Sequence, residues 1–128
     1  MAFCCPECNQ PSLEITQRIE LRADAKWDEI AVQLLRCSAC DFEAIATYQE
    51  NRWGATEIVH HFGFRTSPKL RQQLRDLIDS CKTPDDKNCE CASCRELNLT
   101  DAQGTWNWLE RRHGMMGEMF AMELAPSA

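Results

Sequence analysis

"FCCPECNQ" occupies residues 3–10 and "RCSACD" residues 36–41. Each holds two cysteines three positions apart, Cys5 with Cys8 and Cys37 with Cys40. A tight turn at that spacing presents two sulfurs to one metal ion, and two such turns complete a tetrahedral S₄ site. Between Cys8 and Cys37 lie 28 residues, room for a small sheet. The residue after the second cysteine of such a turn often needs positive φ, where Gly is best and Asn or Asp come next. Here those residues are Asn9 and Asp41.

The stretch between the pairs, and the one after them, alternate as strands do. "LEITQRIEL" (13–21) places Leu13, Ile15, Ile19 and Leu21 on one face, with Gln17 interrupting. "DEIAVQLLR" (28–36) alternates Ile30, Val32 and Leu34, and "FEAIATYQE" (42–50) alternates Phe42, Ala44, Ala46 and Tyr48. Period two with β-branched residues predicts strands, and "RADAKW" (22–27) a loop between the first two. On these residues, 4–50 resemble the zinc-ribbon, or rubredoxin-like, superfamily. The resemblance covers well under half the chain. It implies a three-stranded antiparallel sheet with Cys5, Cys8, Cys37 and Cys40 on one metal. The whole chain is similar to small uncharacterised bacterial proteins with a CPxC ribbon and a later cysteine cluster.

That later cluster is Cys81, Cys89, Cys91 and Cys94, spaced C-x7-C-x-C-x2-C. It forms a second four-sulfur set, with "KTPDDKN" (82–88) as a polar turn around a metal and Cys4 left over. Cys-x-Cys strains simultaneous chelation, so His60, His61 and His113 are alternatives to one sulfur. Zinc is the expected ion at both sites, in a structural role. Iron in the first cage is the alternative, and would make an electron carrier.

Composition bounds the rest. The 128 residues suffice for one compact domain or two very small ones. The 44% hydrophobic share includes nine cysteines, so the remaining core is lean and metal is expected to help hold it. Nine is odd, which fits a pure disulfide framework badly. No apolar run nears the ~20 residues that cross a bilayer, and the N-terminus does not read as a secretory signal. The expectation is a cytoplasmic protein without membrane contact, in a compartment that disfavours stable disulfides. Formal net charge is −6, which argues against non-specific attraction to nucleic acid. Residues 51–75, however, carry Arg52, Arg65, Lys69, Arg71 and Arg75 against Glu57 alone.

"NRWGATEIVHHFGFRTS" (51–67) interleaves Arg52, Trp53, His60, His61, Phe62, Phe64 and Arg65. Cations among rings suit stacking on bases, and equally suit a protein interface anchored by Trp and Arg. Glu57 and His60 would share a face of a helix, a pair able to bind metal. No HExxH motif is present, and no catalytic residue is assigned. "TSPKLRQQLRDLIDSC" (66–81) predicts a helix with Ser67 as N-cap, Pro68 at N1 and an apolar stripe of Leu70, Leu74, Leu77 and Ile78. "TDAQGTWNWLERRHGMMGEMFAMEL" (100–124) reads as helical after Asp101, with Trp106, Leu109, Met116, Met119 and Phe120 near one face.

The expected architecture is α+β: a three-stranded antiparallel zinc ribbon (1–54), a connector (55–66), and a helical region (67–128). That last region would hold a helix, a Cys-rich metal loop and a C-terminal helix. The expected function is a non-enzymatic zinc-binding adaptor or assembly subunit with a protein partner or a second copy, and no small-molecule substrate. Arg52, Trp53, Arg65, Arg71, Arg75, Trp106, Met116, Met119 and Phe120 are the candidate partner-binding residues. A nucleic-acid-binding regulator using 52–75 is the alternative reading.

Overall fold

A computed structural model describes residues 2–53, 56–113 and 118–124. Strands β1 (Leu13–Leu21), β2 (Glu29–Cys37), β3 (Glu43–Trp53), β4 (Thr56–Phe64) and β5 (Met119–Ala121) form one antiparallel sheet in chain order. Three helices join it: α1 (Pro68–Ser80), α2 (Ala92–Leu97) and α3 (Trp108–His113). No described helix is long and apolar enough to cross a membrane.

This overturns the α+β expectation of a three-stranded ribbon with a helical second half. The protein is mostly β, and helices are its minor part. The expected connector contains β4, which pairs with β3 from Trp53↔Thr56 to Ile45↔Phe64. Of the helix expected over 100–124, six residues form α3, and Met119–Ala121 instead pair with Phe62–Phe64. A helix of six residues is not stable alone. Each of Gly114 and Gly117 weakens helix by about 1 kcal/mol relative to Ala, whereas the free edge of β4 offers a ladder.

The face assignment of β1 also differs. A bulge between Ile15 and Gln17 shifts the register, so Ile15 pairs with Leu35 but Gln17 with Leu34. One extra residue flips every later side chain to the other side. Leu13 and Ile15 therefore pack with Leu35 on one face, and Ile19 and Leu21 with Val32 and Leu34 on the other.

The helices cover the second of these faces. Ser67 caps α1 by accepting the Leu70 N–H at 3.2 Å, and Pro68 occupies its first turn. Leu70, Leu74 and Ile78 are then buried against Ile19, Val32, Ile45 and Phe64, together with Leu97, Trp106, Trp108 and Leu109. The opposite face packs small residues, Ala44 and Ala46, under Phe3, Leu13 and Leu35. Phe3 bridges Leu13 at the start of β1 and Leu124 just beyond β5. The two edges of the sheet are thus joined at one end through a single N-terminal residue.

Candidate metal centres

The first pair of cysteines sits in the turn that follows this closing bridge. The Asn9 N–H donates to the Cys5 carbonyl at 2.9 Å, and the Cys5 N–H to the Gln10 carbonyl at 2.9 Å. Asn9 adopts φ 59°, the left-handed conformation its position called for; Asp41, after the second pair, does not. Cys37 ends β2, and its N–H donates to the Phe42 carbonyl at 2.9 Å, which returns the chain toward β3.

These two turns converge. Cys5 Sγ lies 3.8 Å from Cys40 Sγ and Cys8 Sγ 3.7 Å from Cys37 Sγ. All four sulfurs lie within 4.8 Å of one another. Four sulfurs ~2.3 Å from a central ion stand ~3.8 Å apart in a tetrahedron, whereas a disulfide is ~2.05 Å long. The spacing is that of a metal cage.

The second cluster closes in the same way with different supports. Cys81 is the C-cap of α1, and Cys91 the N-cap of α2, where its sulfur accepts the Cys94 N–H at 3.5 Å. Cys81 Sγ lies 3.8 Å from Cys89 Sγ and 3.7 Å from Cys94 Sγ. The four sulfurs again fall within 4.8 Å of one another. Among the described residues neither group includes a histidine. His60 packs on the Trp27 ring at 4.8 Å, and His61 Nε2 lies 2.7 Å from Gln33 Oε1. The side chain of His113 lies outside the described residues. Glu57 and His60 do not share a face, because they sit three apart on a strand.

Each cage has two buried sulfurs and two half-buried ones: Cys5 and Cys37 against Cys8 and Cys40, Cys81 and Cys94 against Cys89 and Cys91. Burial opposes the Cys37 thiolate, but the Ser12 hydroxyl at 3.1 Å and the amides of Ala39 and Cys40 outweigh it, bringing its pKa down to about 6. The Thr83 side chain and the Cys91 amide bring Cys89 down to about 6. Burial pushes Cys5, Cys81 and Cys94 up. The Phe42 amide favours the Cys40 thiolate, but burial and the neighbouring sulfurs carry it up to about 12. Without a cation, then, each cluster ionises one thiol readily, Cys37 or Cys89, and resists ionising two more, Cys5 and Cys40 in the first and Cys81 and Cys94 in the second. A divalent ion supplies the charge that lets all four bind as thiolates. An S₄ tetrahedron accommodates zinc or iron, so geometry alone leaves the ion's identity open. Cys4 stands outside both cages, half-buried, its N–H donating to the Glu123 carbonyl.

The expected partner-binding residues that are described differ in burial and in their partners. Trp106 is core, its indole N–H donating to the Leu97 carbonyl at 2.5 Å. Phe120 is half-buried, its ring over Gly63, and Met119 is 52% exposed. Arg65 lies between the Phe42 and Phe120 rings and pairs with Glu7 at 2.9 Å. Arg52 binds the buried Glu50 at 2.6 Å, Arg71 donates to the Thr66 carbonyl, and Arg75 lies 3.7 Å from Glu43. Met116 and the Trp53 side chain lie outside the described residues.

Sequence reasoning missed Ser12 and Thr83 beside the cages, since hydroxyls at those offsets carry no motif. It also missed the polar row on β3, where Tyr48 and Arg52 both donate to Glu50. Comparisons of the chain with protein-family models, curated proteins and solved structures gave no match, so the metal-binding assignment rests on these two sets of four sulfurs.

Proposed function

We propose that the protein is a non-enzymatic zinc-binding assembly subunit whose two ions are structural. The observation that supports this reading is closure: every ligand position of each tetrahedron is filled by a cysteine of the chain. A closed cage has no open position for water or substrate. Elemental analysis of protein purified without added metal should find two zinc per chain and no visible colour. A red iron-loaded protein would instead make the first cage an electron carrier. Stripping the metal should collapse the fold, because apparent binding energies of structural zinc, about 10–16 kcal/mol, match or exceed the stability of a small domain. An intact circular-dichroism spectrum in metal-free protein would sink the structural role.

The assembly role is supported by the outer edge of β4. The Met122 N–H donates to the His61 carbonyl, which sets the odd-numbered backbone groups of β4 on that edge. Beyond β5 those of Glu57 and Val59 have no strand partner among the described residues. Ile58 and Val59 beside them are 45% and 46% exposed. An open strand edge with apolar side chains is a template for another strand. The occupant we favour is the same edge of a second copy, antiparallel, with Ile58 opposite Ile58. Sedimentation should show a dimer that Ile58→Lys converts to monomer; a monomeric wild type would exclude this pairing. Carboxylates within 4 Å of Arg52, Arg65 and Arg75 leave little free positive field, which favours protein over nucleic acid as partner.

A further inference from the structure

A cavity of about 300 Å³ opens on the helix-covered face, between β3, β4, β5 and α3. It is remote in chemistry from the cages, having no cysteine in its lining. Its apolar part is mostly aromatic: Phe64 and Trp106 are buried core residues, and Phe62 stands beside them. Of the lining rings, Phe62 meets His60 edge-on at 5.8 Å, and His60 in turn packs on Trp27 outside the lining.

Four polar side chains complete the lining. Strand register sets Thr47 opposite Phe62 and Gln49 opposite His60, and α3 contributes Glu110. Thr47 is only 4% exposed, yet its hydroxyl makes no hydrogen bond among the described residues. Gln49 and Glu110 likewise have no side-chain partner there. A hydroxyl on a cavity wall that bonds no described residue is a place where a ligand atom can bond. Among the described residues the lining includes neither Lys nor Arg, and Glu110 is the one full charge.

Aromatic rings and a carboxylate attract the same species. Ring quadrupoles are negative on the face and hold ammonium groups, most strongly where water is excluded. An anion would meet Glu110 with no compensating cation among the described lining residues. The volume is at the small end for ligand sites, which limits the guest to one ring or less. We infer that this cavity binds a small organic cation, its ammonium head among Phe62, Phe64, Trp106 and Glu110, and a polar substituent bonded to Thr47.

The test uses the full, metal-loaded chain labelled with ¹⁵N, and two probes of equal shape: choline and its neutral isostere 3,3-dimethylbutan-1-ol. Choline should move the Trp106 indole and Thr47 amide resonances saturably, and bind about tenfold tighter than the alcohol. Glu110→Gln, at an exposed position that leaves the fold intact, should remove that preference. Thr47→Val, of nearly equal volume, should weaken both probes. No saturable shift with millimolar choline, equal binding of the two probes, or a preference that survives Glu110→Gln would each overturn the assignment.

Discussion

In the first cage all four ligands come from strand ends and the turns beside them; in the second, one ligand ends a helix and another begins one. The sulfur spacing is the same in both. What differs is what hangs on it. The first cage anchors the segment that carries Phe3, and through Phe3 joins β1 to Leu124, just beyond β5. The second ties α1 to α2 and so holds the helical cover on the sheet. Cys81 and Cys94 are themselves members of that core, beside Leu97, Trp106 and Trp108. A metal knot can thus serve as a sheet closure or as a helix–helix contact, according to the elements it joins.

Core size decides which loss should cost more. Among the described residues the helix-side cluster holds 17 buried members and the Phe3-side cluster 7. Cys94→Ser should therefore have the largest single effect. It removes one ion and undocks two helices, of which α2 has six residues and cannot persist alone. The expected readout is loss of the near-ultraviolet tryptophan signal and of cooperative melting. Cys37→Ser should lose one ion, keep the other, and retain that tryptophan signal with a lowered melting point. The reverse pattern would mean that closing the sheet, not covering it, organises the fold.

Part of this was legible in the chain. The paired cysteines of the first cage announce themselves by spacing, and the second set by count. Helix α1 was marked by Ser67, Pro68 and its stripe, and β1 to β3 by alternation. The failures have physical causes. A bulge adds one residue without altering the composition on either side, so the change of face in β1 was invisible. β4 carries rings and histidines that read equally as a binding connector, and its pairing depends on β3. A three-residue strand such as β5 has almost no local signal; its existence depends on the free edge at Phe62–Phe64. Trp106 was placed on a surface because its partner in the core, the Leu97 carbonyl, belongs to a helix the sequence did not mark.

Two substitutions compare the faces without touching a ligand. Leu74 is fully buried in the helix-side core, and Leu74→Ala should cost about 2–5 kcal/mol. On the other face a methyl at Gly63 would overlap the Phe120 ring, which rests against Phe42 and Arg65. Because Phe120 is only half-buried and can swing outward, Gly63→Ala should cost less, about 1–3 kcal/mol. Denaturant unfolding of the metal-loaded variants measures both. A larger loss at Gly63 would place the tighter packing on the Phe3 side.

The smallest effect is expected at the end of β3 away from the first cage, where neither ion acts. The Tyr48 hydroxyl donates to Glu50 Oε2 at 2.7 Å, and Arg52 Nε to Oε1 at 2.6 Å. The Tyr48 and Arg52 donors hold the Glu50 carboxyl down to about 2, and the same carboxylate, with burial, pushes the Tyr48 phenol up to about 12. The signs are opposite. Stability from Tyr48 is fully present below its ordinary pKa of about 10 and is lost as pH rises through the folded value. Stability from Glu50 is present above the ordinary carboxylate range near 4.3 and is lost as pH falls toward its folded value. Tyr48 is the one tyrosine in the chain, so absorbance at ~295 nm follows it alone. In Glu50→Gln the acceptor is neutral, and the midpoint should fall from about 12 toward about 10 with both metal ions retained. A midpoint unmoved by the substitution would assign the shift to burial. Loss of either ion would show that this end of β3 is coupled to the cages after all.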